Sequence, residues 1–175
     1  YGYFEVSCEI PADGGTWPAF WLLSANGDWP PELDVFEQIG DNSSKVYLTA
    51  HSGSSGTATA TGISSYVDDV TGMHTYGVLW TKDRLVWYID GVEVYRMDTP
   101  EDMHQPMYLV TNLAIGGDWA GEPDTSFTSA DYSIDYIRVY QLDSELSSQN
   151  IVSSGTSSIT LDAVADGLIL TGRLD

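Results

Sequence analysis

Short strand-like segments recur along the first 142 residues, and clusters of Gly, Pro, Asn, Asp and Ser separate them. In the opening segment Phe4, Val6, Cys8 and Ile10 alternate with polar residues, which is the period-two pattern of a half-buried strand. No stretch of useful length has helical periodicity, apart from a possible turn near 64–70. Many short strands with turn residues between them predict an all-β sandwich or barrel.

The predicted strands follow one another closely. They cover residues 3–10, 17–23, 32–39, 45–51, 74–81, 84–97, 107–115 and 132–142. The long 84–97 segment contains Asp90 and Gly91, a pair suited to a two-residue hairpin turn because both positions tolerate positive φ. Residues 52–62 are rich in Gly, Ser, Thr and Ala, so we expect a loop or a weak edge strand there.

Length and charge narrow the class of protein further. The 175 residues, of which 42% are hydrophobic, suffice for one domain with a sizeable core. No run approaches the ~18 consecutive apolar residues of a membrane helix, so we expect no membrane partner. Six Lys+Arg against 26 Asp+Glu give a formal net charge of −20, which would repel nucleic acid. The single Cys8 shares its strand's apolar face, which predicts a small buried side chain rather than a nucleophile.

The two ends of the chain differ from its middle. A chain that opens directly on a strand predicts further sandwich strands upstream of residue 1. Residues 144–158 contain seven serines and no aromatic residue, which is typical of a linker. We therefore predict one folded domain over 1–142, a Ser-rich linker over 143–158, and the start of a C-terminal region over 159–175.

The most informative segment is 32–37, where Glu32, Asp34 and Glu37 interrupt a run of Leu, Val and Phe. In a regular strand Glu32 and Asp34 share a face and Glu37 points the other way. One extra residue, a β-bulge near Val35 and Phe36, would return Glu37 to the same face. The sequence then places three carboxylates in a row, where they raise one another's pKa.

Two closely spaced carboxyl groups of unequal pKa are what a retaining glycosidase uses as nucleophile and as acid/base. Asp34, between the two glutamates, could hydrogen-bond one of them. Two other interpretations stay open at this point. One is a solvated acidic face on an edge strand. The other is a metal site, which is weakened by the lack of an obvious partner His.

Tryptophans surround this acidic segment in the sequence. Trp17, Trp21 and Trp29 precede the acids, and Trp119 follows a Gly-rich turn. Sugar rings present apolar C–H faces, so an exposed indole would provide a stacking surface, although a Trp in a β-protein is more often part of the core. We assign Trp80 and Trp87, which lie in alternating strands, to the core.

A series of motifs resembles glycoside hydrolase family 16, the group of laminarinases, lichenases and agarases. The motifs are YGYFEV at 1–6, GTWPAFWLL at 15–23, ELDVFE at 32–37, HTYGVLW at 74–80, WYIDG at 87–91, NLAIGG at 112–117 and IDYIRVY at 134–140. They follow the family's order over residues 1–142. The resemblance implies a concanavalin A-like jelly-roll sandwich of two antiparallel sheets.

The same resemblance assigns roles to individual residues. It implies that Glu32 is the nucleophile, Asp34 the assisting acid and Glu37 the acid/base, in the bulged spacing of laminarinase-like members. Residues implied to contact the sugar are Trp17, Trp21, His51, Asn112 and Trp119. For His51, an exposed position at a strand end without any role is an equal alternative.

Two further features are implied by resemblance. Some members of the family carry a structural Ca²⁺, and Asp135 and the Gly2 carbonyl are its expected ligands here, although an Asp without a metal is the simpler interpretation of Asp135. Residues 162–172 resemble the segment that leads into hemolysin-type calcium-binding repeats, which implies a secreted protein exported by type I secretion.

The predicted function is therefore a retaining, endo-acting hydrolase of β-1,3- or mixed β-1,3/1,4-glucan, or of a related exopolysaccharide. We expect a monomer with a polysaccharide as its partner and no cofactor for the chemistry. The alternatives are a transglycosylase, which shares the covalent intermediate, and a non-catalytic carbohydrate-binding sandwich domain, which would not need both Glu32 and Glu37.

Overall fold

The computed structural model describes residues 1–141, which form ten strands in two five-stranded antiparallel sheets. The strands are β1 (Gly2–Glu9), β2 (Thr16–Ser24), β3 (Glu32–Gln38), β4 (Lys45–Ser52), β5 (Thr59–Tyr66), β6 (His74–Trp80), β7 (Arg84–Ile89), β8 (Val92–Asp98), β9 (Met107–Ile115) and β10 (Ser133–Tyr140). The predicted jelly-roll sandwich is confirmed. The predicted linker and C-terminal region lie outside the described residues.

The first sheet has the strand order β10-β1-β6-β7-β8, and the second has the order β5-β4-β3-β2-β9. β3, which carries the three carboxylates, is therefore the central strand of the second sheet and not an edge strand. Alternation decides which face of that sheet is apolar: Val46, Leu48 and Ala50 of β4 are buried between the sheets. We call the opposite face of the second sheet the cleft face.

Aromatic side chains fill the space between the sheets. Phe36 of β3 packs against Tyr76 of β6 with ring centroids 4.4 Å apart, and neither ring is exposed. Trp80 and Trp87 are buried as predicted, and so is Cys8. The core thus joins β3 directly to the middle of the first sheet.

A β-bulge interrupts β3 at the predicted position. Asp34 pairs with Thr49 of β4, yet the next pair along the ladder is Glu37 with Tyr47, so two residues of β3 lie opposite one residue of β4, Leu48. Val35 and Phe36 are both buried in the core. Because two successive side chains point inward, Asp34 and Glu37 on either side of them both reach the cleft face.

An indole from the opposite sheet reaches this bulge. Trp87 of β7 is completely buried, and its Nε1–H donates a hydrogen bond of 2.8 Å to the main-chain carbonyl of Asp34. A buried carbonyl without a partner costs about 1–3 kcal/mol, so this bond stabilises the backbone where the regular ladder stops.

Two smaller expectations can be compared with the structure. Asp90 (φ 50°) and Gly91 (φ 73°) form the hairpin turn between β7 and β8, as predicted. The 52–62 segment includes the start of β5, which is an edge strand as one of the two expectations had it, and which within the described part of the chain pairs with β4 alone. Because β5 continues to Tyr66, the possible helical turn near 64–70 was wrong. Residues 1–141 contain one helix, Glu101–Met103, which has three residues. This helix is too short to cross a membrane.

The Trp87 bond predicts a difference between two core tryptophans of the same sheet. Trp87→Phe removes the donor to the Asp34 carbonyl, whereas Trp80→Phe removes an indole N–H that has no partner among residues 1–141. Both variants lose similar volume, so we expect Trp87→Phe to lower the free energy of unfolding by about 1–3 kcal/mol more than Trp80→Phe. Urea unfolding of the two variants measures this difference, and equal losses would contradict the role given to Trp87.

Candidate active site

The cleft face of the second sheet holds one hollow of about 300 Å³ that contains all three predicted acids. Residues of three neighbouring strands line it: Trp17, Ala19 and Trp21 of β2, Glu32, Asp34 and Glu37 of β3, and Asn112 and Ala114 of β9. A larger hollow of about 450 Å³ lies beneath Tyr1 and Trp80. It has no carboxylate in its wall, so the chemistry belongs to the smaller hollow.

Glu32 is held between two nitrogen atoms. Its Oε2 accepts a hydrogen bond of 2.9 Å from the indole of Trp29, and its Oε1 lies 3.5 Å from Nε2 of His51. Burial and the nearby Asp34 carboxylate raise the pKa of Glu32, whereas the Trp29 bond and His51 act in the opposite direction.

Asp34 lies at the bottom of the hollow with only 1% of its surface exposed. Its Oδ2 is 3.2 Å from Nε2 of His51. Burial raises the pKa of Asp34, and the interaction with His51 lowers it in part. The contact with the Asp34 carboxylate is also the largest reason why the pKa of His51 is raised. Asp34 and His51 therefore form one ionisable pair beneath Glu32.

Glu37 has a different environment. Within residues 1–141 a single side-chain donor, Nε1 of Trp17, reaches its Oε1 at 2.9 Å. Burial and the Asp34 carboxylate raise the pKa of Glu37 to about 8, although the Trp17 bond works against this shift. Glu37 therefore keeps its proton at neutral pH.

The two glutamates are thus distinguished by their neighbours. Glu32 faces an indole N–H and a histidine that both favour its charged form. Glu37 has one indole N–H and lies among carboxylates that favour its neutral form. Of the two glutamates, Glu37 is therefore the one whose pKa is raised further, to about 8.

The predicted sugar-contacting residues surround these acids. The indole Nε1–H of Trp21 donates a hydrogen bond of 2.7 Å to Oδ1 of Asn112. This bond joins β2 to β9 in the wall of the hollow. Trp119, which is 44% exposed, packs edge-on against Trp17 at 5.1 Å between ring centroids. His51 is brought to the acids rather than left at a free strand end, since it pairs with Glu32 across β3 and β4.

Two residues outside the predicted sugar-contacting set also belong to the site. Trp29 is 59% exposed and covers Glu32, and its ring lies 6.0 Å from that of His51. Tyr47 packs edge-on against Trp119 at 4.8 Å. The alternation of β4 carried a signal for Tyr47, because it shares the cleft face with Thr49 and His51.

Gly2 and Asp135, the two expected calcium ligands, lie too far apart to bind the same ion. Gly2 lies against the carbonyl of Tyr140, at the far end of β10 from Asp135. A strand rises ~3.3 Å per residue, which separates the two positions by about 16 Å. Calcium ligands lie about 2.3–2.6 Å from the ion, so one ion cannot contact both.

Sequence comparison identifies relatives of this chain. The family model for glycosyl hydrolases family 16 matches residues 1–138. An endo-1,3-1,4-beta-glycanase, ExsH, of Rhizobium meliloti is 51% identical over 83% of this chain and 31% of its own length. A beta-glucanase of Rhodothermus marinus is 32% identical over 81% of this chain and 57% of its own length. The chain spans about a third of ExsH.

Solved structures agree with the sequence relatives. The laminarinase from Rhodothermus marinus superimposes with a TM-score of 0.73 at 32% identity, over 81% of this chain and 65% of that one. The laminarinase catalytic domain from Thermotoga maritima gives a TM-score of 0.71 at 32% identity, over 82% of this chain and 64% of that one. The match of the family model over most of the chain, with a sandwich of the same fold, establishes that this chain belongs to glycosyl hydrolases family 16.

Proposed function

We propose that this chain carries the catalytic centre of a retaining, endo-acting β-glucan hydrolase, with Glu32 as nucleophile and Glu37 as acid/base. The observation that supports this most is the unequal protonation of two glutamates on one strand, inside a hollow walled by tryptophans. A domain that only bound sugar would not need such a pair.

Each glutamate has one task in each half of the reaction. In the first half Glu32 attacks the anomeric carbon while Glu37 donates its proton to the departing glycosidic oxygen, which yields a glycosyl–Glu32 ester. In the second half Glu37, now a carboxylate, takes a proton from water, whose oxygen attacks the same carbon and releases Glu32. Two inversions leave the anomeric configuration unchanged.

Asp34 and His51 prepare Glu32 for this attack. Asp34 lies beneath the nucleophile, and its negative charge raises the pKa of Glu32 and of Glu37. His51 contacts both Glu32 and Asp34, so it offsets part of the repulsion between the two carboxylates. We infer that His51 is a positioning residue for the nucleophile.

For the substrate we propose β-1,3- or mixed β-1,3/1,4-linked glucan or a related exopolysaccharide, because the relatives are named as glycanases, glucanases and laminarinases. Secretion, suggested by the resemblance of the C-terminal residues to a calcium-repeat protein, is part of the same proposal. A structural Ca²⁺ stays a prediction that concerns Asp135 alone, without Gly2.

Removal of the nucleophile tests the assignment most directly. We expect Glu32→Gln to lower kcat on laminarin or lichenan by at least about 10³-fold, because an amide cannot form the glycosyl ester. Glu9→Gln is the matched control, since Glu9 is exposed on the first sheet and its loss leaves the cleft unchanged. Hydrolysis by Glu32→Gln at the wild-type rate would contradict the assignment.

The proton on Glu37 predicts the alkaline side of the pH profile. Because the acid must be protonated, kcat/KM falls as pH rises above about 8. The Trp17 bond favours the charged form of Glu37, so Trp17→Phe raises this pKa and moves the alkaline limb to higher pH. Trp21→Phe serves as the comparison, because Trp21 donates to Asn112 instead and its loss leaves the limb where it is.

These profiles are measured as kcat/KM against pH for the three proteins under the same salt concentration. Equal shifts of the alkaline limb in Trp17→Phe and Trp21→Phe would show that this limb does not report the deprotonation of Glu37. A limb that moves to lower pH in Trp17→Phe would contradict the direction of the hydrogen bond's effect.

The fate of the glycosyl ester separates hydrolysis from transglycosylation. We expect reducing sugars of retained configuration as the main products, even when an oligosaccharide acceptor is present in excess. Chromatography of the products and ¹H NMR of the newly formed anomers measure the two properties. Inverted anomers would exclude the double displacement, and elongated oligosaccharides as the main products would identify a transglycosylase.

A further inference from the structure

Three potential metal ligands meet in the cleft. An oxygen of Glu32, an oxygen of Asp34 and a nitrogen of His51 all lie within 4.8 Å of one another. Nε2 of His51 is the common point, at 3.5 Å from Oε1 of Glu32 and 3.2 Å from Oδ2 of Asp34. The family resemblance placed His51 among the sugar-contacting residues, with an exposed strand end as an equal alternative, and the structure places it beside the acids.

These separations match the coordination sphere of a small transition-metal ion. Zn²⁺ binds imidazole nitrogen at about 2.0–2.1 Å and carboxylate oxygen at about 2.0–2.2 Å in tetrahedral sites. Two ligands of one tetrahedral ion are then roughly 3.3 Å apart. The distances from Nε2 of His51 to the Glu32 oxygen and to the Asp34 oxygen agree with this value to within a few tenths of an ångström. To bind an ion, only the Glu32 and Asp34 oxygens must move closer to each other. Glu32 is partly exposed, and its side chain can rotate to do so.

A buried oxygen points into the same space. Asp34 is 1% exposed, and its Oδ2 has no hydrogen-bond donor within residues 1–141 that meets ordinary geometry. A carboxylate oxygen at this depth needs a compensating positive charge, which His51 at 3.2 Å supplies when it is protonated and which a bound cation would supply when the imidazole is neutral. The burial of Asp34 is a separate observation from the spacing of the three ligands.

We propose that Glu32, Asp34 and His51 bind a single Zn²⁺ or Co²⁺ ion, and that the bound ion inhibits the enzyme. The ion would occupy the oxygen lone pairs with which Glu32 attacks the sugar, so metal and substrate exclude each other. The inhibition rests on the proposed function, whereas the binding does not.

The donor set also predicts which ions bind. One imidazole and two carboxylates suit Zn²⁺ and Co²⁺. Ca²⁺ prefers six or more oxygen ligands at longer distances, and Mg²⁺ prefers six oxygen ligands in octahedral geometry. Three protein ligands leave a fourth position for water, which the open hollow supplies. We therefore expect no competition from Mg²⁺ or Ca²⁺ at this site.

Calorimetric titration of the full 175-residue chain with ZnCl₂, after removal of metal with EDTA, tests the binding. We expect one high-affinity Zn²⁺ per chain, and His51→Gln should weaken it by at least about 100-fold because a direct ligand is lost. Asp34→Asn should weaken it likewise. His104→Gln is the matched control: His104 hydrogen-bonds to Tyr1 and lines the other hollow, which holds none of the three acids, so its loss should leave the affinity unchanged.

Two spectroscopic measurements accompany the titration. Circular dichroism shows whether each variant is folded, and the visible absorption of Co²⁺ shows a four-coordinate ion directly, without substrate. Absence of Zn²⁺ binding to the wild type would overturn the proposal, as would equal affinity in a folded His51→Gln or Asp34→Asn variant. Equal weakening in His104→Gln would place the ion elsewhere and overturn it too.

Activity measurements separate this proposal from the proposed function. If the protein hydrolyses glucan, Zn²⁺ should raise the apparent KM without lowering kcat, and 10-fold excess Mg²⁺ should have no effect. Binding that depends on His51, in a protein that cleaves no glucan, would support the metal site and contradict the proposed function. Binding that leaves glucan hydrolysis unchanged would overturn the inhibitory role.

Discussion

The β-bulge at Val35 and Phe36 is the constraint on which the site depends. It turns two successive side chains into the core and thereby brings Asp34 and Glu37 to the same face of β3. Trp87 crosses the sandwich to satisfy the Asp34 carbonyl at the point where the ladder loses its register. The position of the carboxylates is therefore a property of the whole sandwich, since the strand that carries them is fixed by a residue of the other sheet.

Electrostatics then distinguishes the two glutamates that the bulge brings together. Burial raises the pKa of both, so burial alone assigns no roles. The difference lies in the donors: Glu32 has Trp29 and His51, and Glu37 has Trp17. The tryptophans consequently have two functions in this cleft, because their indole nitrogens influence the protonation of the acids while their rings form walls suited to a sugar.

Much of this arrangement could be predicted from the sequence, and the exceptions have physical reasons. Period-two patterns gave the strands, and the odd spacing of the acids gave the bulge, because both are local properties of the chain. The position of His51 was open, since it depends on the register between β3 and β4. The same register brings His51 next to Glu32 and Asp34, and so provides the histidine that the sequence did not show for a metal site at the acids. Gly2 was wrong as a partner of Asp135 for the same reason: an antiparallel register separates residues that motif matching had joined.

The placement of both glutamates on one central strand has a mechanical consequence. Packed sheets can slide slightly over one another, and edge strands such as β5 can fray, with little effect on the geometry within a central strand. Two carboxyl groups on separate elements would lose their alignment during such movements, whereas Glu32 and Glu37 move as one body. The loops around the cleft can therefore lengthen, shorten or change composition in evolution, and so select new polymers, without disturbing the alignment of the two carboxyl groups.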